Sequence, residues 1–156
     1  PQLLLVICFS LYFALTSIPG IISNVSRDKF MIKNSNNYEA IKWVNKNLPQ
    51  EAKVISNIRS VALLNNEFVP TDWIDFNLSS DQLNGYFSLI KQKKINYIIL
   101  MNNTPLDFIF IDCLGDKFAQ SGEFTKGTRN PFNRNSKYSL SIYHFNHKKL
   151  LDCAKR

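Results

Sequence analysis

Residues that carry chemistry are scarce in this chain. Among its 156 residues there are two histidines, three cysteines and five glycines. The histidines, His144 and His147, are three positions apart. That spacing shares a face on a helix but not on a strand, and the segment around them reads as a strand, so no metal site is expected there. Nothing among the cysteines has zinc-ligand spacing. No G-x-G-x-x-G follows the first expected strand, where the chain has Ser56-Asn57-Ile58-Arg59, and there is no P-loop. With so few backbone positions able to approach a pyrophosphate, dinucleotide binding is not expected. No serine or cysteine has a visible base partner, so nucleophilic catalysis has no anchor.

The longest absence is of charge. From Leu3 to Ile22 the chain reads LLLVICFSLYFALTSIPGII without one ionisable side chain. This is about the twenty residues an α-helix needs to cross a hydrocarbon layer. The run is apolar on all sides, with Ser10, Thr16 and Ser17 as its polar breaks, and their hydroxyls can bond back within a helix. A cleaved signal peptide would carry a basic leader and a shorter apolar stretch. Residues 1–23 are therefore expected to form a transmembrane helix. Residues 24–35 follow as a juxtamembrane linker, with Arg27, Asp28 and Lys29 at the headgroup level, and 36–156 as one soluble domain. The abrupt start at Pro1-Gln2 suggests a missing N-terminal portion that holds further helices.

All 19 Lys and Arg and all 12 Asp and Glu fall after the apolar run, so the net charge of +7 belongs to the rest of the chain. A basic domain tethered to a bilayer faces anionic headgroups. The basic residues are scattered and accompany no nucleic-acid-binding motif, so nucleic acid is not an expected partner. Cys8 reads as an apolar filler within the membrane helix. Cys113 and Cys153 either pair, closing a loop of about 40 residues in an oxidising compartment, or stay free thiols.

The soluble part alternates helices and strands. Asn36 is placed to cap a helix, with Glu39 three residues on, and Tyr38, Ile41, Val44 and Leu48 make its apolar stripe before Pro49 stops it. Residues 53–57, KVISN, read as a strand, Ser60 to Leu64 as one or two helical turns, and Phe68-Val69 as a second strand. Ser79-Ser80-Asp81-Gln82 starts the next helix, with Leu83, Tyr86, Phe87 and Ile90 inward and Lys91, Lys93 and Lys94 at its end. Tyr97 to Met101 is a continuous apolar run, as in a central strand covered on both faces. Thr104-Pro105 opens a helix through Leu114, terminated by Gly115. Phe118–Lys126 and Tyr138–Phe145 form an antiparallel hairpin at one edge. Lys148 to Arg156 is a short helix or a tail. The expected class is α/β: an N-terminal transmembrane helix, then a Rossmann-like three-layer domain with a mostly parallel sheet and that hairpin at its C-terminal edge.

Four side chains stand out as candidate ligand contacts. Asp72 and Asp75 flank Trp73 in PTDWIDFN, after the second strand, where α/β sheets often bind ligands. They suit an acid/base pair or a divalent cation, and equally a solvated loop with a capping Asp. Arg59 and Arg129 can each grip a phosphate or carboxylate as a planar fork, or pair with a surface acid.

The order of these features, a membrane helix followed by NNYEAIKWVNKNLPQEAKVISNIRS and then KINYIILMNN, resembles the C-terminal part of bacterial polytopic glycosyltransferases of the GT-C type. These are related to protein mannosyltransferases, aminoarabinose transferases and oligosaccharyltransferases. The resemblance rests on Ala40, Ile41, Trp43 and Val44, the Leu48-Pro49 stop, the strand from Val54, and RNPFN at 129–133. It implies a parent enzyme of the inner membrane that moves a sugar from a polyprenyl-phosphate-linked donor to a lipid, glycan or protein. In such enzymes the catalytic acid lies in the first external loop, so no catalytic residue carries over to this chain. The segment would be a periplasmic cap, inactive alone and without a cofactor; whether the parent uses a divalent metal stays open. Arg27, Lys29 and Lys33 favour a cytoplasmic domain by the positive-inside rule, but that rule weakens for large translocated domains. The rival is a non-enzymatic, membrane-tethered interaction module.

Overall fold

The computed structural model describes residues 2–17, 23–56, 58, 63–71, 79–102, 110–125 and 136–150. The apolar run begins as helix α1 (Gln2–Ser17), 16 residues with no acidic or basic side chain in its end turns. Leu3 to Leu15 are all exposed. No described helix is long and apolar enough to cross a membrane.

The expected linker is itself helical. Ser23 caps α2 (Asn24–Asn34), its hydroxyl accepting from Ser26 N at 3.1 Å. Helix α2 buries no side chain fully. Its connection to α3 (Tyr38–Asn47) is polar: Asp28 accepts from Tyr38 Oη at 2.7 Å and from Lys42 Nζ at 2.6 Å. The cap of α3 is Asn37, not Asn36 as the capping pattern predicts. Asn37 adopts a left-handed conformation at φ 62 and makes no side-chain cap bond. A tight turn from α2 fixes this geometry, and asparagine is among the residues that tolerate it.

Strands β1 (Lys53–Ser56), β2 (Glu67–Pro70) and β3 (Tyr97–Met101) are parallel, with β1 in the middle. The expected helical turns at 60–64 lie mostly outside the described residues. Helix α4 (Ser80–Lys93) joins β2 to β3, and it starts where the sequence predicts. Ser79 and Gln82 form a reciprocal capping box, which satisfies two otherwise orphaned amides. Lys94 closes it in a left-handed conformation at φ 53.

The second half departs further from expectation. The start of the helix expected from Thr104 lies outside the described residues; its end is a 3-10 turn, Ile111–Cys113. Leu114 and Gly115 then open strand β4 (Leu114–Gln120) instead of ending a helix. Gly115 is needed there because a Cβ would stand 2.9 Å from the carbonyl oxygen of His144 on the neighbouring strand. The predicted hairpin is antiparallel but broken into two levels. Strands β5 (Phe124–Thr125) and β6 (Lys137–Tyr138) make a small separate ribbon, and β7 (Leu140–Phe145) returns into the main sheet. The break sits at Ser121 and Leu140, which exchange main-chain and hydroxyl bonds of 2.9 and 2.8 Å.

The main sheet runs β2-β1-β3-β7-β4. Because β7 is antiparallel to both β3 and β4, four of the five strands point one way. Strand alternation sends side chains to two separate cores. Val54, Tyr97, Ile99, Leu140 and Ile142 pack with Ala40, Ile41 and Val44 of α3. On the other face Ile55, Val69, Ile98, Leu100 and Phe145 pack with Phe87 and Ile90 of α4. The domain is thus a mixed α/β layer structure with a helix on each face. Pro70, which has no N–H to donate, lies on edge strand β2, where it costs least.

Candidate functional site

The strand order gives the sheet one place to look. The chain leaves β1 toward β2, then crosses through α4 to β3 on the other side of β1, so the order reverses between β1 and β3. Ligands of open α/β sheets bind at the carboxyl ends of strands near such a point. At that edge the described residues are Ser56, Ile58, Thr71 and Asn102, joined by Ser121 and Ser139 from the reversed hairpin.

Most of these polar groups are already engaged in holding the backbone. Ser56, fully buried, accepts from Ile58 N through its hydroxyl at 3.2 Å and from Thr71 N through its carbonyl at 2.8 Å. Asn102 and Ser139 exchange two bonds of 3.0 Å, from Asn102 N to the Ser139 carbonyl and from Ser139 N to Asn102 Oδ1. The exception is Thr71, 6% exposed, whose Oγ1 is buried without a hydrogen-bond partner. No histidine stands at this edge among the described residues. His144 lies at the opposite end, against Tyr97 and Phe118 with ring centroids 4.9 and 5.4 Å apart. His147 places Nε2 2.6 Å from the carbonyl of Ile95, just before β3. The ion pairs of Glu67 with Lys53, at 3.0 Å, and with Lys93 also lie at that far end. Among the described residues, therefore, the carboxyl edge offers hydroxyls and amides without a base or acid to activate them, and no group of three or more potential ligands could hold a metal ion.

Arg59, Asp72, Asp75 and Arg129 all lie outside the described residues, as does RNPFN at 129–133. In sequence, Arg59 follows the end of β1, Asp72 and Asp75 follow the end of β2, and Arg129 falls between β5 and β6. Cys113 is fully buried and disulfide-bonded, whereas Cys8 is free and exposed. Cys113 Sγ lies 4.0 Å from the carbonyl oxygen of Lys149, and Cys153 lies outside the described residues.

Two features escaped the sequence reading. One is a shallow apolar groove of about 310 Å³ between edge strand β2 and α4, floored by Phe68, Pro70, Gly85, Tyr86 and Leu89. The Tyr86 hydroxyl donates to the Pro70 carbonyl across it. No period in either segment signals the groove, because it arises from the distance between them. The other is Tyr138, 4% exposed beside Phe124, whose phenol is pushed up to about 12, first by burial and then by the nearby charge of Glu39. A raised phenol contributes stability fully below the ordinary value near 10 and loses it as pH climbs toward 12. Tyr138→Phe is expected to flatten the alkaline limb of an unfolding-versus-pH curve between pH 10 and 12, and an unchanged limb would remove Tyr138 as its cause.

The fold and its edge define a mixed α/β domain that follows an exposed apolar helix and whose described residues assemble no catalytic group. The chain belongs to the DUF1420 C-terminal domain family, whose model matches residues 32–156. That match begins within α2 and covers every described strand. No curated protein and no solved structure matches the chain.

Proposed function

We propose that the chain is a membrane-held, non-catalytic external domain, with α1 lying in the hydrocarbon layer. The observation that carries this reading is the exposure of α1: Leu3, Leu4, Leu5, Val6, Phe9 and Phe13 are each 61 to 76% accessible. Leaving so much contiguous apolar surface in water is unfavourable at roughly 25 cal/mol per Å². The helix itself is about 24 Å long, against a hydrocarbon layer of about 30 Å. The uncharged sequence continues to Ile22. The Cys113 disulfide supports placement in an oxidising compartment on the external side of the inner membrane.

The parent that suits such a domain is a polytopic glycosyltransferase using a polyprenyl-phosphate-linked sugar donor, on the resemblance of the α3-to-β1 segment. The domain would then cap a membrane active site supplied by the upstream portion of the same protein. A non-enzymatic interaction module is the second reading, and the apolar groove between β2 and α4 favours it.

Two measurements test these readings. After an alkaline carbonate wash of membranes from cells expressing the chain, it is expected in the pellet; release to the supernatant overturns the membrane reading. Around a dozen upstream hydrophobic segments in the gene, with an acidic residue in the first external loop, are expected for the transferase parent. A start codon just before Pro1 would sink it and leave the interaction module.

A further inference from the structure

We infer that α2 is an interfacial helix that lies on anionic lipid headgroups and so sets the orientation of the domain; this rests on the membrane reading of α1. Helix α2 is unusual in the domain because it packs through polar contacts and leaves its large apolar side chains accessible: Val25 at 65%, Ile32 at 39% and Phe30 at 36%. Its cations Arg27, Lys29 and Lys33 are exposed as well. Asp28, its one acid, is turned away from that surface and neutralised by Lys42 and Tyr38. Those contacts hold its carboxyl below the ordinary carboxylate value, through the Lys42 hydrogen bond first and the Tyr38 bond second. Arg27 stands on the Asp28 side of the helix, so the face of α2 that points away from α3 carries Lys29 and Lys33, one turn apart, with Val25 and Phe30 flanking them, a net positive surface among apolar side chains that suits the headgroup layer. It is joined to α1 by six residues, 18–23, so a lipid-embedded α1 delivers α2 to that layer.

The fold ties this helix to the sheet. Helix α3 runs into β1 through the short connection Leu48–Ala52, so the end of α3 lies at the amino edge of β1 and its start, next to α2, at the carboxyl edge. A docked α2 would therefore turn toward the bilayer the edge that carries Ser56, Thr71 and Asn102. A soluble anion would need convergent donors, whereas Lys29 and Lys33 lie one turn apart along one exposed helix face. That arrangement matches a surface of headgroups.

The test uses the full chain, with Cys8→Ser and Ile32→Cys, reconstituted in vesicles and labelled at position 32 with an environment-sensitive fluorophore. The Cys8→Ser chain alone gives the labelling background. In vesicles with about one-third phosphatidylglycerol, a blue shift is expected that is absent in pure phosphatidylcholine. Adding Lys29→Gln and Lys33→Gln is expected to weaken docking by roughly 25-fold, at about fivefold per charge, and to abolish the difference. Neither lysine is among the groups that hold Asp28, and Arg27, which also acts on Asp28, is left in place, so the fold is kept. The same emission in both vesicle types, shifted or not, overturns the inference if the chain floats with the vesicles. A chain that does not float overturns the membrane reading itself.

Discussion

Replacing Ile98 by alanine is expected to cost the domain about 3–5 kcal/mol of unfolding free energy. Ile98 lies in the middle of β3, fully buried, paired with Ile55 on one side and Tyr143 on the other. Its side chain belongs to the core under α4, with Val69, Phe87, Ile90 and Phe110 as members of the same cluster. None of these can move into the vacancy without leaving its own contacts, since Ile55 and Ile90 are fully buried and tied to a strand and a helix. The loss would be a large part of the 5–15 kcal/mol that usually holds a domain together. Urea unfolding of the full chain in mild detergent, followed by circular dichroism, gives the number. Phe118→Ala supplies the contrast: Phe118 is 41% exposed on edge strand β4, and its removal should cost less than half as much. A loss below about 1 kcal/mol for Ile98→Ala would mean that the sheet is not closed by α4 as described.

The same residue shows why part of the fold was legible in the sequence. Tyr97 to Met101 is an unbroken apolar run of strand length, as a strand buried on both faces carries, and β3 has those same bounds. The Ser79–Gln82 capping box is equally local, because both partners lie within one turn. Gly115 was misread for the opposite reason. After a presumed helix, glycine signals a terminator, yet this one is set by the backbone of His144, 29 positions away and adjacent only through strand pairing. Helix α2 hid because its apolar residues, Val25, Phe30 and Ile32, do not make a stripe that a core would cover. The insertion of β7 between β3 and β4 likewise depends on pairing that periodicity does not encode.

The candidate site was legible only as a location. The rule that ligands meet α/β sheets at the carboxyl ends of strands selected Asp72 and Asp75 from their place after β2. The residues described at that edge carry no signature, because serine and asparagine there bond to backbone groups as they do in ordinary loops. Thr71 differs through a buried hydroxyl with no bonding partner. Nothing in the sequence around it distinguishes it from a surface threonine. The edge joins the membrane reading through α2, since the start of α3 and the carboxyl ends of the strands lie at the same end of the sheet. A domain oriented this way would present its connecting segments to the membrane and its histidines away from it.

Opening the disulfide at Cys113 is expected to have an effect of similar size and to report on the compartment as well. We propose Cys153 as the partner. Cys113 Sγ already lies 4.0 Å from the carbonyl of Lys149, and Asn146 N donates to the Cys113 carbonyl at 2.8 Å, so the start of the C-terminal segment is held beside this sulfur. A bridge closing a loop of roughly 40 residues stabilises by about 4 kcal/mol through the unfolded chain it restricts. Cys113→Ala and treatment of the unaltered chain with a thiol reductant should therefore each lower Tm by about 10 °C. Agreement between the two separates the lost bridge from any cavity that the alanine leaves. Non-reducing peptide mapping of protein from intact cells, alkylated at lysis, should recover a linked Cys113–Cys153 pair, with Cys8 alone carrying the alkyl group. Alkylation of all three cysteines would place the domain in a reducing compartment and remove the periplasmic reading. The basic residues after α1 would then be obeying the positive-inside rule, and the domain would be a cytoplasmic one held at the membrane by the same helix.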